Sequence, residues 1–392
     1  PSQERGPRGM NHRERALAVL NYQPFDRLPV VHFGFWGETL QKWVDEGRLT
    51  PADVEGYADG NAADRRLCDI LGFDFNWASH FSPNANLMPE FEPRVLEEFP
   101  DGSRKALNPQ GVVILEKPGT RSIPMEFDHT LKTRADWEEH YRHRFQWHPD
   151  RVLKSWVTTD TGERLRFDEG GLDWLRRPGR EYAYGLFCGS LYGYVRDIIG
   201  AQSTLFAEDM DLFVEMIDTI AELSYQNTRF ALEQGALFDF GHFWEDICFK
   251  NGPLIIPSLF EALVGPHYRR VTGLLRDHGV PVISLDCDGC IDALVPTWIN
   301  NGVNTMFPIE VGTWNASIAP WREQYGSELR GVGGMNKVVF SHDRAAVDAE
   351  IERLRPLVDL GGYIPCPDHR IARDAEYDNV RHYCDRMRQV FG

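Results

Sequence analysis

Short apolar runs recur along the chain, and each stops on a polar cluster. They are LPVVHF (28–33), ILGFDFNW (70–77), YGLFCG (184–189), LFDFGHFW (237–244), VPVISLD (280–286), VNTMFPIE (303–310), LRGVGGM (329–335) and GGYIPC (361–366). Brief apolar runs bounded by turn residues suit strands buried on both faces. Helical periodicity fills the gaps. It predicts helices from Glu38 to Glu46, over NAADRRLCD (61–69), and over 209–235, 258–279, 290–302 and 343–362. The last four each close on glycine, the usual helix stop, and an apolar run follows. A repeating order of helix, glycine and strand is what a parallel sheet with crossover helices produces. Eight such units predict the α/β class and a single (β/α)8 TIM barrel.

One region breaks the rhythm. From Met88 to about Arg180 the chain is rich in Pro, Arg, Glu and Trp, and EPRVLEEFPDGSRKALNPQGVVILEKP alternates like antiparallel strands around Asp101-Gly102. Residues 88–180 are therefore read as an insertion after the second strand, with the position of a lid. Glu138 to Arg144 reads as solvated helix surface. Residues 1–9 (PSQERGPRG) read as a loose extension or expression remnant, which leaves 10–392 for the barrel.

Composition narrows the partners. Among 392 residues 42% are apolar, enough for a large core, and the formal net charge is −17. Such a surface repels phosphate backbones and anionic lipid, so neither nucleic acid nor a membrane is an expected partner. No apolar run reaches the length of a membrane span, and no signal-peptide core follows Met10. Seven dispersed cysteines read as reduced thiols, so the expected location is cytoplasmic.

In a (β/α) barrel the chemistry sits at the C-terminal ends of the strands. The first strand tail offers His32 and Trp36. The fourth offers His242, Trp244, Glu245, Asp246 and Lys250, and the fifth Asp286, Cys287, Asp288 and Cys290. The sixth offers Glu310, the seventh Asn336 and Lys337, and the eighth Cys366, Asp368 and His369. Acids from neighbouring strands facing one mouth repel one another unless a cation or proton lies between them. Asp286 and Asp288, two apart on a strand, share a face while Cys287 points away. Two carboxylates and an imidazole suit Zn²⁺ or another divalent ion, so Asp286, Asp288, Glu310 and His369 are the expected metal ligands. A lone Cys287-x-x-Cys290 pair flanked by acids should have raised thiol pKa values, and a redox role is not expected. Phosphate-loop, serine-hydrolase and zincin signatures are absent.

Longer stretches carry a resemblance. NHRERALAVLNYQPFDRLPVV, WEDICFKNGPLIIPSLFEALVGPHYRRVTGLLRDHGVPVISLDCDG and GGYIPCPDHRI resemble blocks of the uroporphyrinogen decarboxylase superfamily. The resemblance implies a single barrel with its site in the mouth, and its members are often homodimers. True decarboxylases of the family grip porphyrin carboxylates with arginines after the first strand. HFGFWGE (32–38) holds none here. The other branch comprises zinc-dependent methyltransferases serving corrinoid proteins. Their His-x-Cys and later Cys fall on Asp286, Asp288 and His369, so the spacing persists with harder ligands. The expected function is transfer of a methyl group from a small methylated ether or amine to a corrinoid-binding partner protein, aided by a divalent metal, by expectation Zn²⁺. Glu245, Asp246, Asp288, His369 and Lys337 are the expected catalytic groups. His32, Trp36, His242, Trp244 and Asn336 are expected around the substrate, among aromatic residues (Phe33, Phe35, Phe243) suited to a ring or a quaternary methyl donor. The alternative is a decarboxylase-type lyase acting on a carboxylated small molecule or modified tetrapyrrole, in which Lys337 or His32 binds the carboxylate and an acid protonates the product carbon. A third reading is a barrel that binds a tetrapyrrole without turnover.

Overall fold

In the computed structural model, which describes residues 9–117, 124–201 and 203–392, every apolar run named above contains a strand. The expected extension at 1–9 falls, but for Gly9, outside the described residues. In chain order β1 (Val31–His32), β2 (Phe75–Asn76) and β3 (His80–Phe81) come first. The 88–180 stretch then supplies β4 (Arg94–Glu98), β5 (Arg104–Leu107), β6 (Val112–Glu116) and β7 (Met125–His129), followed by a hairpin of β8 (Trp156–Thr158) and β9 (Arg164–Arg166). After it come β10 (Gly185–Phe187), β11 (Phe240–Trp244), a small hairpin of β12 (Cys248–Phe249) and β13 (Gly252–Pro253), β14 (Val282–Asp286), β15 (Thr305–Phe307), β16 (Arg330–Met335) and β17 (Tyr363–Pro367).

Seven strands form one parallel sheet in the order β17-β16-β15-β14-β11-β10-β3, and β1 pairs with β2 in parallel. Two links join these units. Trp77 N–H donates to the His32 carbonyl where β2 runs on toward β3, and Phe35 bridges Ile371 in parallel just past β1 and β17. Side chains alternate between two cores, as the two-residue period of a strand requires. Val31, Phe75, Phe240, Val282, Phe307, Val332 and Ile364 share one apolar cluster with Ala16, Val19 and Leu20 of the first helix. Their chain neighbours Val30, Phe243, Ile283, Leu285, Met306 and Tyr363 pack outward in the larger core under the helices.

The helices follow the periodicity, with local corrections. The longest runs Met210–Glu233 and starts where the Asp209 carboxylate accepts from Leu212 N–H. The helix expected at 258–279 is two, Pro257–Leu263 and Gly265–Asp277, because Pro266 lies in a first turn and begins a new helix. The 290–302 helix starts only at Val295. The run at 70–77 opens as the end of a helix (Ala62–Leu71), and Gly72 in the left-handed region turns the chain into β2. β4 to β7 form the antiparallel sheet that the alternation around Asp101-Gly102 suggested. Trp137, Tyr141, Phe145 and Trp174 of the 88–180 stretch are buried in the larger core, so this region is packed onto the parallel sheet. Among the described residues no helix is long and apolar enough to cross a membrane.

Candidate active-site cleft

A cleft of about 540 Å³ opens at the C-terminal ends of the strands, within the ordinary size of small-ligand sites. Strand parity decides what faces it. On β11, Phe240, His242 and Trp244 share the inward side, and Asp246, two residues past the strand, joins them in the cleft. On β14, Val282 and Ser284 lead to Asp286 and Asp288. The ligand oxygens of Asp246, Asp286 and Asp288 lie within 4.8 Å of one another. His369, just beyond β17, sets its Nε2 3.2 Å from Asp288 Oδ2. Its ring stacks on Trp36 at 5.8 Å and meets the edge of Phe33 at 5.7 Å.

The electrostatics follow from crowding. Burial, then the Asp288 charge, pushes Asp246 up to about 7. Burial, with Asp246 and Asp288 nearby, pushes Asp286 well above the usual carboxylate range. Asp288 N–H donates to Asp246 Oδ1 at 2.9 Å, but buried Asp288 Oδ1 has no hydrogen-bond partner. A buried oxygen without a donor, next to two more carboxylates, fits a cation. An all-carboxylate trio with an imidazole alongside suits zinc or a harder divalent ion.

Beside the acids lies a neutral wall. The rings of His80 and His242 stack at 5.1 Å, and Phe187 continues the stack at 5.7 Å from His80. Burial pushes His80 down to about 4 and His242 well below the ordinary histidine value, so both are neutral at pH 7. His242 Nδ1 is 3.2 Å from Ser284 Oγ, its Nε2 4.0 Å from Asp286 Oδ2, and His80 Nδ1 2.9 Å from Ser82 Oγ. The remaining wall holds an ion pair of Asp59 with Arg370, whose guanidinium lies 5.6 Å from the Phe33 ring centre and 5.9 Å from that of Trp36. Gly34, at φ 88°, passes directly beneath that pair, where a Cβ would strike Arg370 and Asp59.

Trp36, His242, Trp244, Asp246, Asp286, Asp288 and His369 thus share one cleft. The other expected residues have different surroundings. His32 is fully buried on the outward side, because Val31 and Phe33 take the inward positions of β1. Glu245 likewise points outward, and its carboxylate accepts from the amides of Leu191, Tyr192 and Gly193, from Ser190 Oγ and from the Tyr268 hydroxyl. It anchors a helix rather than facing substrate. Glu310 accepts from Gly289 N–H at 2.6 Å and Thr313 Oγ1 at 3.0 Å, so it braces the turn after Asp288 and lies outside the closest group of carboxylates. Asn336 accepts from Val338 N–H and starts a short helical turn. Lys337 donates to the Arg370 carbonyl at 3.1 Å. Buried Asp368 ties three strand tails together by accepting from the amides of Val311, Gly312 and Lys337.

Residues missed by sequence reading also line the cleft: Asp59, His80, Ser82, Phe187 and Arg370. The second apolar run stops at Trp77, short of β3, so nothing in its pattern points to His80. Arg370 adjoins His369 in PDHRI, and its adjacency was the available signal. Asp59 has no local motif. The Cys287 thiol is pushed well up, as expected, but burial is the first cause and the neighbouring Cys248 thiol the next.

No family model matches the chain, and no curated protein matches it. Among solved structures, a methyltransferase from Methanosarcina mazei superposes with a TM-score of 0.58 at 14% identity, covering 97% of this chain and 98% of that one. A B12-independent methionine synthase from a Shewanella species covers 58% of this chain and 67% of its own at 9% identity, with a TM-score of 0.38. The first likeness extends over the full fold, so the chain has the α/β architecture of that methyltransferase.

Proposed function

We propose that the protein is a metal-assisted methyltransferase on a closed (β/α)8 barrel. It would move a methyl group from a small ether or amine to a corrinoid carried by a partner protein. The carrying observation is the meeting of Asp246, Asp286 and Asp288 beside His369 around the unpartnered Asp288 Oδ1. Barrel closure is supported by the shared inward cluster and by the Phe35–Ile371 bridge. The methyltransferase reading is supported by the likeness to the Methanosarcina protein and by the sequence resemblance to the corrinoid-linked branch.

Asp246, Asp286 and Asp288 would hold the divalent ion, with His369 as the nearby nitrogen donor. When bound, the ion supplies Lewis acidity to the oxygen or nitrogen that departs from the methyl group. The chain's own groups shape the rest. Trp36 and Phe33 hold the His369 ring between them. The neutral faces of His80, His242 and Phe187 offer a flat wall for a planar donor, with ring nitrogens for hydrogen bonds and no charge. Arg370 is already engaged by Asp59, so a polyanionic tetrapyrrole finds no free cation among the described cleft residues.

The test is reconstitution. Zinc-loaded protein is mixed with reduced cobalamin and a panel of aryl methyl ethers and methylamines, and the methylcobalamin absorbance is followed. Methylcobalamin formation that needs both metal and donor is expected. Carbon dioxide release from a carboxylate substrate, with no methyl transfer, would replace this reading with the lyase.

A further inference from the structure

Asp246 is one of the few non-glycine residues in the left-handed backbone region, at φ 47°. A non-glycine residue stays there only when its surroundings hold it. Both ends of Asp246 are held. Its carboxylate accepts from Asp288 N–H at 2.9 Å, and its carbonyl accepts from Arg196 Nη2 at 3.0 Å. Arg196 is not among the residues that line the cleft.

One short helix, Gly193–Ile199, serves both residues of the Glu245-Asp246 pair. The amides at its start grip the Glu245 carboxylate, and Arg196, one turn on, grips the Asp246 carbonyl. The helix lies so close that a Cβ at Gly193 would overlap the Glu245 carbonyl oxygen. Arg196 is itself aimed by two acids. Asp197 Oδ1 lies 2.9 Å from its Nη2, and Glu126 Oε1 of β7 lies 3.8 Å from its Nη1. Glu126 also pairs with His129 at 3.5 Å. A line of contacts therefore runs from the antiparallel sheet of the 88–180 region to the acid cluster.

We infer that Arg196 is a positioning residue for the cation site. It fixes the Asp246 backbone in the conformation that turns the carboxylate toward Asp286 and Asp288, and Glu126 ties that grip to the 88–180 region. The inference rests on the cation-binding reading above. Because Asp288 N–H bonds to the Asp246 carboxylate, loss of Arg196 disturbs two ligands together.

The test is a calorimetric titration of metal-free full-length protein with Zn²⁺, repeated with Co²⁺ while the visible spectrum is recorded. Arg196→Met is expected to weaken the ion about 10- to 100-fold, as loss of an outer support usually does, with an altered Co²⁺ spectrum. Arg196→Lys keeps a donor for the carbonyl and is expected to recover most of the affinity. A purely structural role would lower the melting temperature and leave the affinity alone. Wild-type binding of one ion with unchanged affinity in Arg196→Met overturns the inference and leaves the cation site standing. No ion bound by wild type overturns both. Should Arg196→Met fail to fold, Arg196→Gln and the half-exposed Glu126→Gln decide it. Weakening of about threefold or more in either supports the inference, and unchanged affinity in both overturns it.

Discussion

Among the described residues two places gather three metal-ligating side chains within 4.8 Å: Asp246, Asp286 and Asp288 in the cleft, and His32, Asp64 and Cys68 beneath β1. The second set has the more familiar zinc ligands, yet its hydrogen bonding argues against an ion. Gly34 N–H donates to His32 Nδ1 at 2.9 Å, which requires a lone pair there and puts the proton of the neutral ring on Nε2. That nitrogen faces Cys68 Sγ at 3.2 Å and lies 3.5 Å from Asp64 Oδ1, which has no hydrogen-bond partner. Asp64 Oδ2 is satisfied by Gly60 N–H and Asn76 Nδ2. All three side chains are sealed from solvent. Each cluster holds one oxygen without a donor, Asp288 Oδ1 and Asp64 Oδ1, but in the cleft all three groups are carboxylates and the mouth is open. The proton held on His32 Nε2 and the access of solvent, more than ligand type, separate a structural cluster from a site.

Substitutions should break the two clusters in opposite ways. Asp288→Ala is expected to abolish stoichiometric ion binding, a loss of about 100-fold or more in affinity, and methyl transfer with it. Its melting temperature should stay within a few degrees, because the change relieves repulsion; metal content and thermal unfolding check both. Glu245→Gln should do the reverse of sparing the fold. Its new amide N–H₂ would face donors, and chemical denaturation should show a loss of about 3–5 kcal/mol. His32→Ala should cost about 2–4 kcal/mol by leaving a cavity and stranding Gly34 N–H, with ion stoichiometry unchanged by elemental analysis.

The sealed cluster also carries a pH signature. Burial lowers the His32 pKa in the folded state, whereas the unfolded chain takes up a proton near pH 6.5. The unfolded state therefore binds more protons below that pH, and stability rises with pH. The contribution is fully present above about pH 6.5 and falls as the pH drops, at up to about 1.4 kcal/mol per unit. His32→Gln should be less stable than wild type at pH 7.5, yet lose less on going to pH 5.5 in parallel melts. The smallest effect is expected from Cys290→Ser. That thiol lies outside both clusters, so stability should change by less than about 0.5 kcal/mol and turnover should stay within about twofold.

Much of this was legible in the sequence, and the misses have physical causes. The run VPVISLD followed by Cys287 and Asp288 shows both a strand and its inward acids, because a two-residue period puts Asp286 and Asp288 on one face. The same rule applied to β1 would have removed His32, since Val31 and Phe33 need the inward side. Glu310, Asn336 and Lys337 lie past the ends of their strands, where parity lapses and turn hydrogen bonds decide direction. Arg196 and Asp59 reach the site from segments remote in the chain, and local pattern gives no sign of them.

Anomalous scattering at the zinc edge, from crystals grown with Zn²⁺, tests the central claim most directly. The account predicts one peak per chain among Asp246, Asp286 and Asp288, close to His369. No peak there, or a peak among His32, Asp64 and Cys68, would contradict it.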